Sequence, residues 1–445
     1  MIRTIRSYKT NQTFWEPGPV LNFGDVPDNE NPLVVVQTDR TYQTHMGFGG
    51  AFTEAAAVTF SAAKKHRDEI ISAYFGEEGL RYNLGRTVIH SSDFSPANRI
   101  YVTDDDRSLS TFSIESEHEH VLPLIKAAQA KAGKLWLFAS PWSPPAFMKT
   151  NGEMHYGGKL RSDCYDVWAD YFVRYLKAMQ EAGVQIEAVT TQNEPEATQV
   201  WESCRFDAED ELRFVNHLHA AFEREKMDVK IMIWDHNRDR LVERADVVLR
   251  SVPEKVWGVG YHWYMGEDAE NLEVVHDLYP NHHLLFTEGC VEFTHTAAGV
   301  EGGGKDKWKN AEFYGRNIIK DSLNYSEGFV DWNLLLNEEG GPNHVGNFCE
   351  APLMYDRERD ALIYNPSYYF IGHFSRFIEP GAVRVHVSAS KDNSVFTTAY
   401  KNPNGELVVV IQNEGWIKQR TLVVDGKRVE ISLPPFSIST FVVKG

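Results

Sequence analysis

The chain has 445 residues, 42% hydrophobic and 24% charged, the mix of an ordinary soluble globular protein. Its 63 acidic against 45 basic residues leave a net charge of −18, which excludes nucleic acid or an anionic membrane surface as the main partner. No apolar run reaches the roughly 20 residues of a membrane span, and Met1-Ile2-Arg3-Thr4-Ile5-Arg6 lacks an export signal's apolar stretch, so a cytoplasmic location is expected.

In chain order, the first 44 residues hold short extended runs, Leu33–Gln37 foremost. Residues 45–378 then repeat one pattern: an apolar run, a polar and aromatic loop, an amphipathic stretch. The runs are Met46–Phe52, Tyr82–Ile89, Lys134–Ala139, Ile186–Thr191, Lys230–Trp234, Trp257–Tyr261, Leu284–Thr287 and Phe329–Leu336. Eight strand–helix units predict an α/β fold, a closed (β/α)₈ barrel of parallel strands. Helices are predicted over 54–75, 118–132, 162–182, 207–225 and 307–323. In the third, Trp168, Tyr171, Phe172, Tyr175 and Met179 form one stripe, with Ser162 and Asp163 as caps and Gly183 as the stop.

After residue 378 the period changes to two. Val383–Val387, Val395–Tyr400, Leu407–Gln412, Gln419–Val424, Arg428–Leu433 and Ser437–Val443 read as strands, with type I′ turns at Asn404-Gly405 and Asp425-Gly426. These residues are too few for a full sandwich, so strands from 1–44 and 379–445 are expected to combine into one β-sandwich beside the barrel of 45–378.

A (β/α)₈ barrel carries its active site at the C-terminal ends of its strands. Those ends read His90-Ser91-Ser92-Asp93, Ser140-Pro141-Trp142, Asn193-Glu194-Pro195, His262-Trp263-Tyr264, Glu288-Gly289-Cys290 and Trp332-Asn333. Carboxylates, amides and indoles on one rim suit an uncharged polyhydroxylated ligand. Phosphate-binding glycine loops are missing: Gly47-Phe48-Gly49-Gly50 is not followed by a dinucleotide unit. Glu194 and Glu288 end the fourth and seventh strands, three βα units apart, which places them across the barrel mouth. Two facing carboxyls are what glycoside cleavage needs, and Asn193 is placed to meet a sugar 2-hydroxyl.

Thr191-Gln192-Asn193-Glu194-Pro195, Gly47–Glu54, Ser140–Lys149 and Trp332–Asn343 together resemble glycoside hydrolase family 30, in the branch that includes lysosomal glucosylceramidase. The match continues through Tyr364-Asn365-Pro366 and Gly372-His373-Phe374-Ser375. The resemblance implies a barrel with a β-sandwich and retaining hydrolysis of β-glycosides. It implies Glu194 as acid/base, Glu288 as nucleophile, and Asp93, Trp142, Asn193, Trp332 and Asn347 as sugar contacts. It also implies Arg86 as support for Glu288, and Tyr264 beside the nucleophile. His262, at a strand end, is a further candidate sugar contact or a core hydrogen-bonding residue. Trp263 and Phe348 are expected on the same rim.

No metal or organic cofactor is expected. The cysteines, Cys164, Cys204, Cys290 and Cys349, form no CxxC, no His cluster has ligand spacing, and His118, His120, His282 and His283 read as exposed. Glu54, Glu196, Glu292, Glu338 and Glu339 read as non-catalytic. Glu194 should titrate high through burial and the Glu288 charge, and so act as an acid. The stretches Lys149–Arg161, Val291–Lys305 and Glu338–Arg359 are long enough to wall off a pocket. That favours exo action on β-glucosides, β-xylosides or β-fucosides over an endo-β-glucanase such as a β-1,6-glucanase, or a catalytically silent sugar-binding barrel.

Overall fold

A computed structural model describes residues 1–24, 30–293 and 305–444. Eight parallel strands close a barrel: β1 Gly47–Phe52, β2 Leu84–Ile89, β3 Trp136–Pro141, β4 Ala188–Thr190, β5 Lys230–Asn237, β6 Gly258–His262, β7 His283–Glu288 and β8 Gly328–Asp331. Each pairs with the next, and β8 returns to β1 with Gly328 opposite Gly47. The glycines of β1 serve close packing: a Cβ on Gly49 would lie 2.2 Å from the Leu84 carbonyl oxygen of β2.

The helices are α1 Glu54–Ala62, α2 Arg67–Phe75, α3 Val121–Ala132, α4 Tyr165–Glu181, α5 Ala208–Glu225, α6 Leu241–Ser251, α7 Glu270–Leu278, α8 Lys307–Leu323 and α9 Pro366–Ser375. The expected helix over 54–75 is two helices, because the Arg67 guanidinium turns back onto the Phe60 and Ser61 carbonyls and caps the end of α1. Thr53 caps the start of α1, accepting from the Ala56 amide at 3.1 Å, while Glu54 opens the helix and pairs with Arg99. Helix α4 follows Cys164 with no side-chain cap, so Ser162 and Asp163 do not serve as predicted; Asp163 pairs with Arg107 and Arg161 instead. The last predicted barrel strand divides. β8 ends at Asp331, Asn333 takes φ +70°, and Leu335–Asn337 joins Leu353–Asp356 and Ala361–Tyr364 in a small separate sheet.

A nine-stranded sheet gathers both ends of the chain. Its order is Thr13–Pro17, Ile2–Tyr8, Ser437–Val443, Leu407–Asn413, Val395–Lys401, Val383–Ala389, Leu33–Thr44, Lys418–Val424, Lys427–Leu433. Register breaks where Val383–Ala389 meets Leu33–Thr44 let the sheet bend. Ile2, Val409 and Phe441 from one half thus share a core with Val34, Leu422 and Ile431 from the other, so the sheet folds over itself as a sandwich. At Asp425-Gly426 both residues take positive φ, as a type I′ turn requires. At Asn404-Gly405 only the glycine does; Pro403 holds an ordinary φ ahead of it, and Gly405 donates back to the Asn402 carbonyl. The sandwich docks on α9 through His373, whose ring bridges Ser7 and Thr440. Burial pushes that imidazole down to about 3, so it sits there neutral.

Candidate active site

Strand alternation explains the interior. Along the barrel, Leu84, Phe138, Ala188, Met232, Leu285 and Val330 point inward and close the floor. One pleat further on, the inward residues are Arg86, Ser140, Thr190 and Thr287. Two bulges modify the pattern. Between Trp234 and His236 an extra residue turns Asp235 inside, and between Phe286 and Glu288 another lets both Thr287 and Glu288 face the mouth.

Arg86, fully buried, is the hub of this upper layer. Its guanidinium donates to Glu288 Oε2, to Asp235 Oδ2 at 2.8 Å, to Asn193 Oδ1 at 2.8 Å and, through Nε, to Ser140 Oγ at 3.0 Å. It lies 4.7 Å from the centre of the Trp142 ring. Tyr264 donates its hydroxyl to the other Glu288 oxygen at 3.0 Å. Both Glu288 oxygens are therefore held by donors.

Glu194 stands opposite. Its backbone is pinned where β4 ends: the Asn193 amide donates to the Pro141 carbonyl and the Glu194 amide to the Asp235 carbonyl. Glu194 itself takes φ +45°, a left-handed conformation that costs energy in a non-glycine residue and turns the side chain toward the mouth. Oxygens of Glu194 and Glu288 lie within 4.8 Å of each other.

Asp93 accepts from the Asn347 amide at 3.2 Å, and Trp142 stacks on Trp332 with ring centres 5.0 Å apart. A cavity of about 550 Å³ opens above the two glutamates, lined by Asp93, Trp142, Asn193, Tyr264, Trp332 and Asn347 among others. The sequence-predicted residues thus converge on one cavity, with exceptions. His262 is fully buried behind Glu194, outside the cavity wall, because both ring nitrogens are turned to carboxylates: Nδ1 lies 3.2 Å from Glu194 and Nε2 2.9 Å from Asp235. Trp263 is a core residue packed between Phe286 and Tyr314, and Phe348 lies outside the cavity lining. The loop 149–161 does not line the cavity either; the stretch after β4, including Gln199 and Trp201, stands in front of it. Residues 294–304 of the Val291–Lys305 stretch lie outside the described residues.

Profiles of known families match along almost the whole length: the Glycosyl hydrolase family 30 TIM-barrel domain over residues 45–378 and the family 30 beta sandwich domain over 381–441. The chain belongs to glycoside hydrolase family 30. Among family 30 relatives, the lysosomal acid glucosylceramidase of Mus musculus is 35% identical over 92% of this chain and 83% of its own. The endo-1,6-beta-D-glucanase neg1 of Aspergillus fumigatus is 25% identical over 90% of this chain and 85% of its own. The crystal structure of SrfJ from Salmonella typhimurium superposes with a TM-score of 0.94 at 36% identity, covering both chains completely.

Electrostatics in this family 30 site depart from the sequence expectation. Burial raises both glutamates, but on Glu194 the hydrogen bond from His262 and the charges of His236 and His262 together outweigh it and hold the carboxyl below its usual range. On Glu288 burial prevails over the cationic His262 and Arg86, and the carboxyl titrates above its usual range. His262 resists its own burial: Glu288, Asp235 and Glu194 together push it up to about 9. The raised group expected at Glu194 is therefore the Glu194–His262 pair, whose proton rests on the imidazole side. Burial also lifts Asp93 well above a normal carboxyl, with the Glu288 charge adding to it.

Asp235 is the residue that sequence reasoning missed. Its Oδ2 accepts from Thr190 and Arg86, and its Oδ1 from Thr287 and His262. Burial opposes its charge, yet Arg86 and His262 hold it far below the usual carboxylate range. The available signal was its position directly after a predicted barrel strand.

Proposed function

We propose that this glycosidase cleaves β-glycosides with retention, by exo attack on β-glucosides, β-xylosides or β-fucosides. The observation that carries the reading is the spacing of Glu194 and Glu288. Their oxygens approach within 4.8 Å, in line with the roughly 5–5.5 Å of retaining enzymes and short of the roughly 6.5–9.5 Å an inverting pair needs to seat a water. Glu288, gripped by Arg86 and Tyr264, attacks the anomeric carbon. The proton shared by Glu194 and His262 passes through Glu194 to the leaving oxygen. Covalent capture removes the Glu288 charge, the strongest of the influences that raise His262, and so lowers the affinity of the pair for a proton. Glu194 then takes a proton from water, and hydroxide releases the sugar from Glu288. Asp93, Asn193 and Asn347 meet sugar hydroxyls, while the Trp142 and Trp332 faces pack on its C–H surface.

Exo action is supported by the 35% identity to a glucosylceramidase over nearly the whole chain and by a compact cavity of ordinary small-ligand size. The endo-1,6-beta-D-glucanase relative keeps an endo reading as the alternative. Proton NMR of the first product from an aryl β-glycoside should show the β-anomer; the α-anomer would refute retention. A panel of nitrophenyl β-glycosides set against a β-1,6-glucan separates the readings. Fast release of single sugars supports exo action, and internal fragments with little aryl-glycoside turnover overturn it.

A further inference from the structure

Beside the sugar-binding wall, four loops meet at one buried point. Glu202, from the stretch after β4, is 1% exposed. Its Oε1 accepts from Ser91 Oγ at 2.6 Å and from Asn98 Nδ2 at 2.7 Å. Among the described residues its Oε2 makes no hydrogen bond of good geometry. His344, from the loop after β8, turns Nδ1 to the Ser95 carbonyl at 2.9 Å. A carbonyl only accepts, so Nδ1 carries a hydrogen and the lone pair of the neutral ring sits on Nε2. Among the described residues that buried Nε2 also makes no hydrogen bond of good geometry, and it lies 3.4 Å from Glu202 Oε2.

Two acceptors face each other here, and something positive belongs between them. A proton would serve two partners, as an ion pair does. The third residue argues for more. His155, from the loop after β3, pairs its backbone with Glu202 as an isolated bridge. One donor atom from each of His155, Glu202 and His344 falls within 4.8 Å of the others. Two ligands at about 2.0–2.1 Å on a tetrahedral ion stand about 3.4 Å apart, the spacing Glu202 and His344 already have.

We propose that His155, Glu202 and His344 form a binding site for a divalent transition metal of the zinc class, with water completing the coordination. Two imidazoles and one carboxylate select such an ion over calcium or magnesium, which take all-oxygen shells. The outer shell is in place. Ser95 fixes the His344 tautomer, and Asn98 ties the two other ligands together, donating to Glu202 and placing its carbonyl oxygen 3.0 Å from His155 Nε2. The role is structural. The His344 amide donates to the Asp93 carbonyl, so the ion would staple the loops after β2, β3, β4 and β8 around the wall that carries Asp93 and Asn347. A second cluster of similar dimensions, Glu194, His262 and Glu288, belongs to the active site and must be separated experimentally.

The test equilibrates the full chain with ZnCl₂, removes excess by gel filtration and measures retained zinc by mass spectrometry, with melting curves in parallel. One zinc per chain is expected, with a Tm rise of about 2–5 °C that EDTA reverses and MgCl₂ does not produce. Co²⁺ in place of zinc should give the visible absorption of a four-coordinate site. All three signals should vanish in His155→Ala and His344→Ala and persist in Glu288→Gln. His155 is only half-buried on a loop, so His155→Ala is the variant that keeps the fold. Two results overturn the proposal: no more than trace zinc and an unchanged Tm, which leaves a Glu202–His344 ion pair alone; or binding that survives both histidine variants and disappears in Glu288→Gln.

Discussion

Two layers of the same barrel, one pleat apart, have opposite chemistry. The lower one is Leu84, Phe138, Ala188, Met232, Leu285 and Val330, apolar and closed. The upper one is Arg86, Ser140, Thr190, Asp235 and Thr287 with Glu288 at its edge, polar and joined by hydrogen bonds through Arg86 and Asp235. The floor contributes stability by apolar burial and has no further demands. The upper layer holds buried charges, which are tolerated only because each is paired and hydrogen-bonded. The difference teaches where mutations should be felt. Below, substitution should cost folding energy; above, it should cost chemistry.

The most damaging break is expected at Glu288, the proposed nucleophile. Glu288→Gln should lower kcat on an aryl β-glycoside by about 10⁴-fold or more with the fold retained, read by steady-state kinetics beside circular dichroism. Turnover near wild type would remove Glu288 from the mechanism. Next comes Glu194→Gln, which should lose about 10²–10⁴-fold on an alkyl glycoside but far less in the first step on a dinitrophenyl glycoside, whose leaving group needs no proton. Equal loss on both would count against the acid role.

The third prediction concerns pH. Glu288 must be ionised, so kcat/KM should rise as pH climbs through its elevated pKa. The Glu194–His262 pair must hold its proton, so activity should fall as pH approaches about 9, where His262 loses it. His262→Asn should move the alkaline limb and leave the acid limb nearly in place; an unchanged alkaline limb would detach His262 from the proton. The smallest catalytic effect is expected on the floor. Leu285→Ala should cost about 2–5 kcal/mol of stability in denaturant melts, with kcat/KM per folded molecule unchanged within a factor of about two.

Which parts of this were legible in the sequence follows from the same layers. Glu194 and Glu288 were readable because they close apolar runs, carry distinctive neighbours and sit three units apart. The mixed sandwich was readable from a count: too few residues after 378, and extended runs left over before residue 45. Asp235 was not readable, since its inward direction depends on a bulge that breaks the period of two. His262 could be placed at the rim but not behind Glu194, because its orientation comes from Asp235. The His155–Glu202–His344 cluster spans three loops with no shared spacing, and only tertiary folding brings it together. The assignment of the raised pKa failed for a related reason: it considered two glutamates, and the proton is shared with a third group.

The strand order of the large sheet carries a consequence for synthesis. Ile2–Tyr8 lies between Thr13–Pro17 and Ser437–Val443. Ile2–Tyr8 therefore emerges from the ribosome long before Ser437–Val443, its long-range neighbour, is made. The barrel can close in the interval, its strands pairing in chain order as they appear. The sandwich is then a latch that engages once Ser437–Val443 has been made, and a chain shortened before Ser437 would leave Ile2–Tyr8 as an open edge, inviting pairing with another copy.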